Sequence, residues 1–322
     1  MERRGAHSFR GLSFCGFFSG PGGGEPSLFV LLKSANADAM ITHVHFNGRL
    51  LPREEASLHL QDLALLRGYG IFDYFLFQHR KPLFIDDYLQ RFFRSALFLN
   101  LTPPFQTEDL ATYIHELIDA NGMEEGAIRL LLTGGYSPDG YNPGTPNLAI
   151  LQHPYPEHPG ERYVDGIRVL TSEYKRDLPE VKTINYIHSI YLSPRLREAG
   201  ALEPLYVQNG LVTEAARSNI FAVFAGKRLV TPKEGILYGI TRRKVLEMGR
   251  NYYEMEERDL SLQELLRAEE VFLTGSSKQL MPVVRIDRHT IGTGRPGPVT
   301  QHLMEAFQGF KNEYLASSLV GG

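Results

Sequence analysis

VKTINY (Val181 to Tyr186), followed by VTEAARSNIF (Val212 to Phe221) and LYGITRR (Leu237 to Arg243), is the stretch that decides how this chain is read. Lys182 sits in a short apolar segment just after the charged turn Lys175-Arg176-Asp177. Glu214 lies between the turn signal Asn209-Gly210 and a strand-like run from Ile220 to Phe224. Desolvation penalises an ammonium, so a lysine held among apolar groups loses charge and becomes an amine nucleophile. A lysine and a glutamate taken alone are usually solvated surface charges, and only the words around them carry the reading further.

One carbonyl partner for such a lysine is pyridoxal phosphate, whose ring nitrogen wants a carboxylate that Glu214 would supply. KTxNY, ExxxSNxF and GITR, in this order, resemble the class IV aminotransferases. These are the fold-type IV pyridoxal phosphate enzymes: branched-chain and D-amino acid aminotransferases and aminodeoxychorismate lyases. The resemblance runs from about Met40 to the C-terminus. It implies an α/β (α+β) chain of two subdomains with the cofactor in the cleft between them. It also implies a homodimer that takes a small amino acid and a 2-oxo acid.

Composition fits a globular enzyme. The chain has 322 residues, 43% of them hydrophobic, and a net charge of −3, with no basic run to meet a nucleic acid. The single cysteine, Cys15, excludes an intrachain disulfide or a multi-thiolate metal site and makes a reducing cytoplasm the expected compartment. No apolar run approaches the roughly 20 residues of a membrane helix. Residues 1–39 combine Arg3, Arg4 and Arg10 with a glycine-broken apolar patch, and are expected to be a disordered extension rather than a targeting peptide.

From Met40 the pattern becomes regular. Met40 to Asn47 alternates as a strand that turns at Asn47-Gly48, and Ile71 to Gln78 reads as a buried strand. Asp86-Asp87 signals the N-cap of a helix to about Leu99, with Leu89, Phe92, Phe93, Ala96 and Leu97 on its apolar face. A second helix is expected over Thr107 to Asn121, then strands over Ala127 to Thr133 and Asn147 to Leu151 around the glycine-rich loop Gly134 to Gly144. HPYPEHPGE (His153 to Glu161) is the best boundary, which gives a subdomain over 40–155, a linker over 156–163 and a larger subdomain over 164–322. In the second half, strands are expected over Gly166 to Glu173, Pro204 to Gln208, Asn219 to Phe224, Arg228 to Thr231 and Glu270 to Thr274. Helices are expected over Asn185 to Glu198, Thr241 to Asn251 and Pro298 to Leu315.

The resemblance assigns roles residue by residue. Lys182 is the Schiff-base lysine and proton carrier, and Glu214 the partner of the pyridine nitrogen. Tyr186 is either a hydroxyl near the cofactor phenolate oxygen or a packed core tyrosine. Asn219 either orients that same region or caps its strand. Leu237, Ile240 and Thr241 bound the cofactor where a helix N-terminus suits a phosphate, although a plain N-cap threonine would look the same. Arg91, in DDYLQRFFRSA, is the phosphate arginine, with Arg94 as the neighbouring alternative and Tyr88 where the family word has His. Ser276 should reach the phosphate, and Ser277 should offer its backbone to the substrate.

On the substrate side, RGYGIFDYF (Arg67 to Phe75) places Phe72 at an aromatic wall, with Asp73 for the usual Glu and Arg67 for the usual Tyr. Arg67, Arg129 and Arg217 are the candidate carboxylate anchors, and the alternative for Arg129 is a buried salt bridge. This arginine set disfavours a purely apolar branched-chain site and favours D-amino acids, with branched-chain L-amino acids as the alternative. The D-amino acid group, however, places an Arg and a His where this chain has Gly134 and Tyr136. An aminodeoxychorismate lyase would use the same Lys182 and Glu214, and a cofactor-binding protein without turnover is a third class. No HExxH or GxxxxGK[ST] word competes, so no metal is expected, and Gly292-Thr-Gly294 reads as a turn.

Overall fold

The computed structural model describes residues 41–317, so the expected disordered extension over 1–39 lies outside the described residues. Strand β1 (His43–Phe46) turns through Asn47 and Gly48, at φ 48° and 79°, into β2 (Arg49–Pro52). Two successive positive-φ residues are what a tight hairpin needs, and Asn-Gly is the pair that adopts them most cheaply. Helix α1 (Leu63–Arg67) precedes β3 (Gly70–Gln78) and β4 (Lys81–Pro82). Helices α2 (Ile85–Phe98) and α3 (Thr107–Asn121) follow, then β5 (Glu125–Thr133) and β6 (Leu148–His153). These strands form one antiparallel sheet in the order β2-β1-β6-β5-β3-β4.

Beyond His153 the chain builds a second sheet. Helix α4 (Glu161–Val164) and β7 (Ile167–Glu173) come first, and α5 (Ile187–Tyr191) and α6 (Ser193–Glu198) follow an irregular stretch. Next come β8 (Glu203–Gln208), β9 (Leu211–Ala215), β10 (Asn219–Phe224) and β11 (Arg228–Thr231). Helix α7 (Ile240–Gly249), β12 (Glu254–Glu257), β13 (Leu260–Ser261) and α8 (Leu262–Leu265) lead to β14 (Glu270–Gly275) and β15 (Gln279–Ile286). β16 (His289–Thr290) and α9 (Pro298–Ser317) complete the described chain. The order is β12-β11-β10-β14-β15-β7-β8-β9-β13, with β16 on β15 and parallel pairs at β11/β12, β15/β7 and β7/β8.

Alternation along the strands divides the core. Phe221 and Phe272 stack at 5.0 Å on the sheet face that joins α7, α9 and the six-stranded sheet. Their neighbours Ile220, Ala222, Val271 and Leu273 point into a separate cluster on the opposite face.

Three local expectations are corrected. The single helix expected over Asn185 to Glu198 is two short ones, because Pro194 has no N–H to continue the first and instead sits in the opening turn of the second. Asp86 and Asp87 occupy the first turn of α2 rather than its cap; Phe84, at φ 56°, holds the cap position. Leu97 is 78% exposed, since one residue beyond Ala96 turns it out of the apolar face.

Candidate active site

Lys182 is held by backbone. Between β7 and α5 the chain has no regular structure, yet the Lys182 carbonyl accepts the Phe72 N–H at 2.9 Å and the Ile184 N–H donates to the Gly70 carbonyl at 3.1 Å. The lysine segment is thus pinned to the start of β3, in the other sheet. Gly70 permits the approach: a Cβ there would stand 2.8 Å from the Leu132 carbonyl and 3.2 Å from Ile184. The Lys182 ammonium lies 4.3 Å from the centre of the Phe72 ring. Burial, reinforced by the Arg91 charge, brings its pKa down to about 7, so the free amine is available near neutrality.

Glu214, on β9, is 4% exposed, and both its oxygens are taken. Oε1 accepts Arg176 Nε at 2.7 Å, and Oε2 accepts the Leu237 N–H at 2.9 Å. Burial raises the carboxyl above the ordinary glutamate value, against the pull of Arg176 and of that amide. Asn219 donates from Nδ2 to the Leu237 carbonyl at 2.8 Å, so Glu214 and Asn219 grip the same residue from its two ends. A Cβ on Gly239 would collide with Asn219 Oδ1, so a larger residue there would displace the Asn219 side chain from its bond to Leu237.

Gly239 caps α7, a helix of ten residues whose first amides are free to meet an anion. Around them gather Thr241, Thr274, Ser276 and Arg91. Thr274 Oγ1 is buried without a hydrogen-bond partner, an orphan that points to a missing acceptor or donor. Tyr88 bonds Ser276 Oγ at 2.8 Å and so links α2 to the β14–β15 loop. Arg91 is clamped by Asp73, Nε to Oδ2 at 3.0 Å and Nη2 to Oδ1 at 2.6 Å, leaving Nη1 outside the pair.

These groups line a chamber whose wall contains Lys182, Tyr186, Glu214, Arg217 and Asn219 as well. A second cavity, of about 2030 Å³ and open to solvent, adjoins it, and Lys182, Tyr186, Arg217 and Ser276 line both. Phe72, Arg129 and Ser277 belong to the second cavity alone. Tyr186 meets Phe72 edge to face at 5.6 Å, and burial pushes its phenol up to about 12. The buried salt bridge considered for Arg129 is absent: the residue is exposed on β5, its guanidinium 5.7 Å from the Phe72 ring and 5.6 Å from the Tyr74 ring. The cause is strand alternation, which turns Arg129 towards the cavity while Ile128 and Leu130 face the core. Arg67 stands apart. It ends α1, donates to the Leu66 carbonyl and lines neither cavity.

The model of the family described as amino-transferase class IV matches residues 70–286, two thirds of the chain. The chain is a class IV aminotransferase. Among its relatives, the D-alanine aminotransferase of Bacillus licheniformis is 31% identical over 274 residues, 82% of this chain and 95% of that protein. The putative branched-chain-amino-acid aminotransferase of Methanocaldococcus jannaschii is 29% identical, over 84% and 97%. The solved branched-chain amino acid aminotransferase of Escherichia coli superposes with a TM-score of 0.79 at 28% identity, covering 84% of this chain and 94% of that one. A second branched-chain enzyme, from T.th. and solved with pyridoxamine 5'-phosphate, gives 0.77 at 28% identity, covering 85% and 93%. These likenesses fix the fold as fold type IV.

Class IV aminotransferases depend on pyridoxal phosphate, and the residues present fit that group. A buried orphan hydroxyl, free helix amides and an arginine with one free nitrogen suit a phosphate, and the carboxylate and the amine stand at other points of the chamber wall. Of the residues singled out from sequence, the chamber brings together Lys182, Glu214, Arg91, Tyr186, Asn219, Leu237, Ile240, Thr241, Ser276 and Arg217. Sequence reasoning missed Arg176, Thr274, Tyr88 as the hydrogen-bond partner of Ser276, and Glu203 and His158 in the outer wall. A signal for Arg176 existed, in the charged turn ahead of Lys182. Thr274 lies in the word Leu273 to Ser277 that resembles the family's second hydroxyl-bearing loop, but it also closes the expected strand Glu270 to Thr274 and so drew no role of its own.

Proposed function

We propose that this aminotransferase moves the amino group of a D-amino acid to a 2-oxo acid such as 2-oxoglutarate or pyruvate. The observation that carries the reading is Arg129, a guanidinium exposed in the outer cavity with aromatic rings for neighbours and no carboxylate within salt-bridge distance among the described residues. Arg217, its side chain 58% exposed, lines the same cavity. A guanidinium in such a place suits a substrate carboxylate, and two of them disfavour a wholly apolar substrate. The similarity to a D-alanine aminotransferase supports the same choice.

The roles follow from position. Bound pyridoxal phosphate supplies the electron sink that acidifies the substrate Cα. Glu214 holds a negative charge for the ring nitrogen, and the cup of Gly239 to Thr241, Thr274, Ser276 and Arg91 holds the phosphate. Lys182 Nζ, at the junction of chamber and cavity, takes the proton from Cα, a task suited to a group with a pKa of about 7. Phe72 walls the substrate side, and Ser277 offers its backbone there. The two sheets support the reading of a subdomain over 40–155 and a larger one over 164–322 joined through 156–163. Ile187, Ile190 and Tyr191, each at least 68% exposed beside the cavity, support a homodimer, and the single cysteine supports a cytoplasmic enzyme. Sedimentation of the full chain tests the dimer.

The test of substrate is optical. Purified protein carrying pyridoxal phosphate is given D-alanine, D-glutamate, L-leucine or L-glutamate, and the visible band of the cofactor is followed. Loss of the band with the D-acids alone is expected. Loss with L-leucine and L-glutamate would transfer the chain to the branched-chain group. No response to any of them, with release of pyruvate from aminodeoxychorismate, would make it a lyase.

A further inference from the structure

We propose that Arg176 is a positioning residue, one that fixes the Glu214 carboxylate and the backbone of Lys182 in a single frame. This rests on the roles of Lys182 and Glu214 given above. The Arg176 guanidinium divides three ways: Nε donates to Glu214 Oε1 at 2.7 Å, Nη1 to the Val181 carbonyl at 2.9 Å, and Nη2 to the Pro179 carbonyl. Val181 immediately precedes Lys182, so one planar group spans from the carboxylate to the peptide bearing the amine. A guanidinium can do this because its five N–H donors lie in one rigid plane, whereas an ammonium has three donors on a single nitrogen.

The loop needs such a tie. Residues 174–181 have no strand or helix ladder, and the sheet-to-sheet bonds to Gly70 and Phe72 begin only at Lys182 and Ile184. Upstream of Lys182, Tyr174 is fixed by its N–H to the Val207 carbonyl at 2.9 Å and by its stack on His188. Beyond it, order comes from a turn bond, Val181 N–H to the Leu178 carbonyl at 3.1 Å, and from the Arg176 fork. The fork also acts on charge. Glu214 is buried, and with Arg176 removed its carboxylate would keep a single donor, the Leu237 amide. Burial already pushes that carboxyl up, and loss of the opposing cation drives it further towards its neutral form.

The experiment uses the full chain with and without pyridoxal phosphate, in Arg176→Met, Arg176→Lys and Glu214→Gln. In the cofactor-free protein, the carboxyl of Glu214 is followed by carbon NMR with labelled glutamate, its signal assigned by its absence from Glu214→Gln. Arg176→Met is expected to move that titration to higher pH and to weaken pyridoxal phosphate binding by about tenfold or more. Arg176→Lys should restore the titration, because it keeps the charge, but only part of the affinity, because it lacks the fork. Should Arg176→Met not fold, Arg176→Lys alone decides: unchanged affinity overturns the proposal. So does an unmoved Glu214 titration in Arg176→Met. If Glu214→Gln itself binds the cofactor like the parent, with the same pH dependence of the visible band, the reading of Glu214 fails first and takes this inference with it.

Discussion

The chamber around Glu214 and the outer cavity around Arg129 share Lys182, Tyr186, Arg217 and Ser276, yet they are built on opposite rules. In the chamber the deepest charges are already matched: Glu214 by Arg176 and the Leu237 amide, Arg91 by both oxygens of Asp73. In the outer cavity Arg129 and Arg217 reach solvent, and Arg217 has only a 4.0 Å approach to Glu203. A site that always holds the same group can be rigid and internally compensated, since reorganisation there would only slow the chemistry. A site that admits and releases two substrates in turn must leave its charges available to the incoming carboxylate.

Lys182→Ala tests this contrast with the largest expected effect. The chamber remains, but the amine and the proton carrier go, so turnover of D-alanine with 2-oxoglutarate should fall by about 10⁴-fold or more while circular dichroism stays unchanged. The lysine also leaves a mark on stability. Its folded pKa of about 7 lies below the ordinary 10.5, so the folded state binds fewer protons than the unfolded one between these values. The burden it places on stability is full below pH 7 and is relieved as pH rises towards 10.5. Urea unfolding of the cofactor-free protein should show that upward slope, and Lys182→Met should reduce it, leaving the part that the buried Lys278 and Lys311 contribute with the same sign.

Next in size is the internal compensation of the chamber. Asp73→Asn leaves the Arg91 guanidinium buried without its counter-charge, which should cost about 3–5 kcal/mol in urea unfolding of the cofactor-free protein. An outer-cavity charge should behave differently. Arg129→Leu should leave stability nearly unchanged and raise the KM for D-glutamate by about ten- to hundredfold, with kcat less affected, because a charged hydrogen bond contributes about 1.5–3 kcal/mol. If Arg129→Leu instead destabilised the fold as much as Asp73→Asn, the distinction between the two regions would collapse. The smallest effect belongs to Tyr88→Phe, which removes one neutral hydrogen bond to Ser276 and should weaken pyridoxal phosphate binding by roughly threefold to tenfold in equilibrium dialysis.

Local chemistry made much of this legible in advance. The helix over Thr107 to Asn121 has its predicted ends because Gln106 and Asp109 form a capping box at one and Gly122, at φ 65°, closes the other. The Asn47-Gly48 hairpin and the apolar, aromatic-rich strand of Ile71 to Gln78 were readable for the same reason, since their determinants lie within a few residues of one another. Lys182, Glu214 and the GIT turn were readable because the short words that carry them resemble those of the family.

What the sequence alone determined, then, is most of the order of elements, the family and most of the residues that line the chamber. Tertiary structure alone decided the partners. Asp73 is far from Arg91 in sequence, and Tyr88 from Ser276, and only the packing of β3, α2 and the β14–β15 loop brings them within hydrogen-bond reach. It decided as well that Arg129 faces a cavity and Arg67 does not, because which side of a strand or helix meets empty space depends on what the rest of the chain packs against it.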